Sequence, residues 1–216
     1  MEGKWIKPFQ VLKESGIRDG LCSIAASAVG TFNPVAGVVV TAFKECASIA
    51  DEARLNYIIH GLATGLNMET FTNELWNYVS QDENKAFHAA NAIRKSLLMD
   101  SPIACALMGR ILADHVALNN SYDRDDSIII HALETATDED LICFRKMMNT
   151  IRDGKVEVLD QTTVDWCEMS RLFKKQTVNP GTWESISFIP EYKPETSAFR
   201  MAEYLDKIKQ IFRSRL

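Results

Sequence analysis

The chain has 216 residues, 46% of them hydrophobic and 25% charged, with a formal net charge of −5 and a pI near 5.4. That length suits one compact domain or two small ones, and the apolar fraction is enough for a real core. The acidic balance speaks against a dedicated nucleic-acid binder, which carries a basic footprint. Five cysteines are present, Cys22, Cys46, Cys105, Cys143 and Cys167, an odd count with no CxxC pair. Most sit among apolar neighbours in helical patterns, where free cysteine behaves as a small hydrophobe. A reducing compartment fits this better than a disulfide framework. The opening MEGKWIKPFQVLKES lacks the charged, apolar and small-residue layout of a signal peptide, so a cytoplasmic location is expected.

In chain order, the spacing predicts a short helix after Pro8, with Trp5, Ile6, Phe9 and Leu12 as packing residues. Gly20 to Phe43 then runs without a charge, GLCSIAASAVGTFNPVAGVVVTAF. Asn33-Pro34 breaks it, since Asn is a strong N-cap and Pro fits the first helical position. The proline also drives Asn33 out of the helical region, so the preceding helix ends near Phe32. The stretch therefore reads as an apolar helical hairpin over 17–64. Each limb covers roughly 20 Å at about 1.5 Å per residue, short of a hydrocarbon core of about 30 Å. The preferred reading is a hairpin buried in a bundle, with contact to a membrane as the competing one. Phe32, Val35, Val38, Val39 and Phe43 are the candidate interaction residues, as the apolar face of the hairpin.

The second limb is predicted to reach about Thr64. Gly61 and Gly65 form a GxxxG spacing, in which Gly65 is expected to be the C-cap. Asn67 is predicted to cap a helix over 68–79, with Phe71, Leu75, Tyr78 and Val79 inward. Ser80 and Glu83 read as a capping box for a helix of about 82–98 carrying Ala86, Ala89, Ala90, Ile93 and Leu97. Ser101-Pro102 opens a helix of about 102–118 with Ile103, Leu107, Ile111 and Leu118 on one side. Asn119 to Asp126 is a polar loop whose end caps a helix through Ile128, Ile129 and Leu133. Thr137 to Asp140 resembles a capping box before a helix of about 138–152, ended by Gly154.

Beyond this the texture changes. KVEVL (155–159) alternates as a short strand does, and Thr163 to Lys175 reads as a helix with Trp166, Met169, Leu172 and Phe173. Asn179-Pro180-Gly181 is a turn and Trp183 to Ile189 alternates at period two. A last helix of about 196–213 carries Phe199, Ala202, Leu205, Ile208 and Phe212. The fold class is thus mainly α. Residues 1–135 form a helical bundle around the apolar hairpin, and 136–216 form a small winged-helix-like α+β part.

The search for chemistry finds no site. His60, His88, His115 and His131 make no zinc spacing, and Asp123, Asp125 and Asp126 lack the glycine of a calcium loop. No GxSxG elbow, P-loop or GxGxxG is present. No catalytic residue, metal or cofactor is assigned, and the chain is expected not to be an enzyme.

The apolar segment, Arg54 with GLATGLN (61–67), ALETATDEDLICFRKM (132–147) and TSAFRMAEYLDKI (196–208) together resemble a diffuse group of bacterial and phage-linked accessory proteins. The resemblance covers most of the chain in layout and carries no catalytic residue across. It implies a prokaryotic or prophage accessory role, in antiviral defence or its inhibition. The function expected is a regulatory protein that acts by oligomerisation or by binding a protein partner. The alternatives are a membrane-perturbing effector that uses the 20–43 hairpin, and a DNA-binding regulator whose cations are Arg171, Lys174, Lys175, Lys207, Lys209, Arg213 and Arg215.

Overall fold

A computed structural model describes residues 52–66, 71–177 and 190–212. The predicted elements before Glu52, Asn67 and its cap, the 179–181 turn and the 183–189 strand lie outside these residues. The described part is mostly helical with one two-stranded sheet. Its helices are α1 (Glu52–Ala63), α2 (Phe71–Gln81), α3 (Glu83–Leu98), α4 (Pro102–Leu118), α5 (Arg124–Thr135), α6 (Asp138–Met148), α7 (Gln161–Met169) and α8 (Thr196–Ile208). The strands are β1 (Phe173–Thr177) and β2 (Pro190–Pro194). Two compact units result. One takes the described residues up to Leu98 with Cys105–Tyr122; the other takes Met99–Ala104 with the described residues from Asp123 onward.

In the first unit, α4 is buried almost all round through Ala106, Leu107, Met108, Ile111, Leu112 and Ala113. Such a helix belongs at the centre of its unit. Leu118, expected inward, is 71% exposed at the helix end. There the chain closes with Asn119 in the left-handed region, while Asn120 N–H bonds His115 O and Asn119 N–H bonds Val116 O. This is a C-terminal cap in which asparagine takes the position glycine usually holds. The Lys85 amine donates to Asn119 O at 3.0 Å and the Tyr78 hydroxyl to Asn120 O at 2.8 Å, which ties down the chain just past the helix.

Helices α1 and α4 touch backbone to backbone. A methyl group at Gly61 would overlap the Ala106 carbonyl, and one at Gly109 would overlap that of Ile58. Gly65 lies just past α1 but not in the left-handed region expected of a cap. Its missing Cβ instead makes room for Ala113 and the Arg110 guanidinium. Arg110 donates to Thr64 O and, at 2.5 Å, to Asp114. The turn before α3 also differs from expectation. Ser80 Oγ donates backwards to Asn77 O, and Asp82 accepts from Asn84 N–H at 2.8 Å. Asp82 is the first acceptor in reach because α2 continues to Gln81.

In the second unit, the capping box predicted at Thr137 and Asp140 is present, and Asp123 makes another with Asp126. Helix α6 ends at Met148 rather than near 152. Asp153 and Gly154 follow, both at positive φ, inside a two-residue turn closed by Arg152 and Lys155. Residues 155–159 form no strand beyond this bridge, although Val156 N–H bonds Tyr192 O at 3.1 Å. Phe144 stacks on Phe173 and meets Trp166 edge-on, which packs α6, α7 and β1 together. Strands β1 and β2 pair antiparallel, with Lys174 opposite Lys193 and Lys175 opposite Tyr192. Helix α8 packs on α5, α6 and β2.

Candidate interaction surface

Helix α7 packs beside the β1–β2 strand pair in the second unit. Asp160 starts α7 by accepting from Thr163 N–H at 2.7 Å and from the Thr163 hydroxyl at 2.8 Å. These two bonds hold its carboxyl below the usual range. The inner side of the helix buries Thr163, Val164 and Cys167. Half-buried Trp166 anchors it by donating to Ala132 O at 3.3 Å and Thr135 Oγ1 at 3.2 Å. Burial, then Asp140 and Cys143, push the Cys167 thiol up. The thiolate is the reactive species, so this thiol is inert packing.

The outer side of α7 carries Gln161, Thr162, Asp165, Glu168 and Met169, all exposed. Its charges are both negative. Met169, expected to pack with Trp166, Leu172 and Phe173, is 82% exposed. The cause is the helix end: α7 stops at Met169, and the predicted continuation to Lys175 does not form. Arg171 sits at φ 61°, with Leu172 N–H bonded to Cys167 O at 2.8 Å and Arg171 N–H to Glu168 O at 3.0 Å. This double bond pattern reverses the chain and normally uses glycine. With arginine there, the sequence carries no stop signal.

The reversal buries Leu172 and Phe173 and leaves Arg171, Lys174 and Lys175 exposed. Lys175 Nζ lies 5.9 Å from the Tyr192 ring centroid, within cation–π range. Lys174 faces Lys193 directly across the sheet, and like charges so placed repel. Lys155 pairs with Glu191 at 2.6 Å. Glu168, Arg171, Lys174 and Lys193 make no ion pair among the described residues.

The acidic loop acts as scaffold. Arg200 on α8 donates to both oxygens of Asp123, at 2.9 and 2.8 Å, and to Asp126 at 3.1 Å. The hydrogen bonds to Asp123 raise the guanidinium pKa, the neighbouring acids add to this, and burial opposes it. Helix periodicity does not reveal this clamp, because its partners stand far apart in the chain. Among the described residues, no group of three or more His, Cys, Asp or Glu is arranged to hold a metal.

In the first unit, His115 stacks on Tyr122 with centroids 4.1 Å apart, and Tyr122 on His88 at 5.1 Å. The His115 Nδ1 lies 2.5 Å from Asn120 Oδ1. His131 is exposed beside Glu134. The candidate interaction residues Phe32, Val35, Val38, Val39 and Phe43 lie outside the described residues, as do Cys22 and Cys46. No described helix is long and apolar enough to cross a membrane. Comparisons with known protein families, with curated proteins and with solved structures find no match for the chain.

Proposed function

We propose that the chain is a regulatory protein that acts by binding another protein, copies of itself included, without chemistry of its own. The observation that carries this reading is the outer side of α7, where Met169 is 82% exposed at the end of a helix whose exposed charges are Asp165 and Glu168. Exposed methionine is adaptable contact area and is enriched at protein interfaces. Two acids and no base on that side repel a phosphate backbone. The reading includes a cytoplasmic location and an accessory role in a prokaryote or phage, connected with defence, on the strength of the sequence resemblance alone. It also includes a winged-helix-like shape for 136–216. The passage from α7 into β1 and β2, with Val156 bonded to Tyr192, supports that shape, and such shapes serve protein contacts as well as DNA.

Chemical crosslinking of the purified full chain, alone and in extract of its source cells, tests the reading. The expected result is a discrete crosslinked species that Met169→Glu abolishes. No crosslinked species in either setting refutes it.

Two other readings each have one observation behind them. Lys174, Lys175 and Lys193 on the hairpin favour DNA binding, whose mark is affinity that falls steeply with salt. The charge-free run 20–43 favours membrane perturbation, whose mark is vesicle flotation and dye release. Val39→Glu abolishes lipid contact in that case.

A further inference from the structure

We propose that the outer edge of β1 takes up an extended, acidic segment of a partner protein as an added strand. This rests on the protein-binding reading above and names the chemistry of the partner. The strand register fixes which groups face that edge. Tyr192 O, in the middle of β2, accepts from Val156 N–H at 3.1 Å, so it points away from β1. Leu172 O accepts from Glu195 N–H at 2.9 Å, one step before Phe173 stands opposite Pro194. In an antiparallel pair, bonded and non-bonded positions alternate. The bonded pairs are therefore Lys174 with Lys193 and Gln176 with Glu191. Phe173, Lys175 and Thr177 turn their N–H and C=O groups away from β2. Both prolines of β2 stand opposite members of this second set, where the ladder needs no donor.

Val156 lies on the far edge of β2, which leaves β1 as the open side. At Phe173 the edge is buried, but Lys174 and Lys175 are exposed. The outward N–H and C=O of Lys175 have no hydrogen-bond partner among the described residues. A strand edge of this kind is a template for another chain in extended form.

Charge selects which chain. In an added strand, the residue opposite Lys174 lies on the face that also carries Lys193, and its neighbour opposite Lys175 lies on the face of Tyr192. Side chains so placed approach to about 5 Å. Two consecutive acids then meet a lysine each, and the first also offsets the repulsion between Lys174 and Lys193. The same edge of a second copy would set lysines against lysines, which is how edge strands avoid pairing with themselves. Nucleic acid can take up the lysines but offers the Lys175 N–H and C=O no strand partner.

Fluorescence anisotropy of a labelled peptide, Thr-Val-Glu-Glu-Val-Thr, titrated with the full chain tests the proposal. Saturable binding is expected, with the Lys175 amide protected from hydrogen exchange in the complex. A peptide N-methylated at both glutamates keeps its charge and loses the donors. It is expected to bind about tenfold more weakly or worse, since the ladder to Lys175 is broken. Lys174→Glu with Lys175→Glu is expected to weaken the acidic peptide about tenfold or more and to gain binding of the same peptide with lysines for glutamates. That gain also shows that the variant is folded.

A wild type that ignores the acidic peptide overturns the proposal, as does binding indifferent to N-methylation. A chain that binds a duplex oligonucleotide and not the peptide also overturns it. So does protection of the Lys175 amide on raising protein concentration alone, because a second copy is then the occupant. A chain that ignores the peptide yet crosslinks to another protein in extract removes this edge and leaves the protein-binding reading intact. A chain that does neither removes both.

Discussion

Replacing Gly61 by alanine isolates the α1–α4 crossing. In an ordinary helix interior this change adds stability, about 1 kcal/mol from intrinsic propensity. The structure reverses the sign. The new Cβ falls 2.8 Å from the Ala106 carbonyl carbon and 2.9 Å from the Arg110 nitrogen, and closer still to the Ala106 oxygen. Carbon contacts prefer about 3.5–4.0 Å, so one helix has to retreat by roughly 1 Å along its buried face. The obstruction is backbone, which cannot swing aside as a side chain does. Overpacking costs about 1–3 kcal/mol and occasionally more, and separating the helices also loosens neighbouring contacts of Ile58 and Leu62. A net loss of about 2 kcal/mol is expected, or about 4–8 °C in Tm for a chain of this length. Gly109→Ala behaves alike, because its Cβ meets Ile58 in the mirror contact. The double variant loses less than the sum, since the first change has already opened the crossing. Differential scanning calorimetry of the three variants reads this directly. A Tm raised by Gly61→Ala refutes the argument, because propensity then outweighs the crossing.

The other predictions concern single side chains. Arg200→Met takes a guanidinium from Asp126, which is 1% exposed, and is expected to cost about 2 kcal/mol in urea unfolding. Asp123→Asn, at the exposed end of the same clamp, is expected to cost less than 1 kcal/mol; equal costs contradict the geometry. Burial lowers the His60 pKa, so the folded state favours neutral imidazole. Stability from this group is complete above about pH 6.5 and is lost as pH falls toward the folded value, because the unfolded chain binds the proton first. His60→Gln is expected to flatten the stability profile over that interval. The Asp160 carboxyl is also lowered, by its bonds to Thr163. Its capping contribution persists above about pH 4 and disappears below the folded value; Asp160→Ala, which removes the cap, is expected to lower stability above that range and to flatten the acid limb of the stability profile.

Much of the helical order is legible in local pattern. Ser101-Pro102 and Asn119 bracket α4 at its observed bounds, because cap and proline chemistry act within a few residues. Thr137 and Asp140 form the box their spacing announces. The strand content is less legible. Leu172 and Phe173 fit the helical period of Trp166 and Met169, so the sequence points to one helix through Lys175. The stop depends on arginine in a left-handed conformation, which no residue-type rule marks. The exposure of Leu118, Met169 and Phe199 is equally invisible to periodicity. Each continues an apolar stripe, yet each lies where its neighbours leave that stripe uncovered; Phe199 is 47% exposed. The clamp of Arg200 on Asp123 and Asp126 is a tertiary fact, and one sequence does not encode which cation meets which acid. The outer side of α7 is half legible: Asp165 and Glu168 can be read off as solvent-facing acids, but the exposure of Met169 depends on the helix stopping at the reversal through Arg171.

The passage from α7 through β1 to β2 contains two unfavourable features, a non-glycine residue in the left-handed region and two lysines opposed across a sheet. Local strain of this kind persists where other contacts over-determine it. Protein concentration separates a cost carried by the monomer from one relieved by a neighbour. In dilute solution, salt screens the Lys174–Lys193 repulsion and raises Tm. Where a second copy binds over these lysines through its carboxylates, the same salt in concentrated solution weakens that contact and lowers Tm, because ligation then stabilises the fold less. Lys174→Gln removes the first effect and weakens the second. The difference between wild type and this variant is the readout, since it cancels the general response of a chain with net charge −5. A salt response of the same sign at both concentrations, unchanged by Lys174→Gln, means that the opposed lysines have no partner on a second copy.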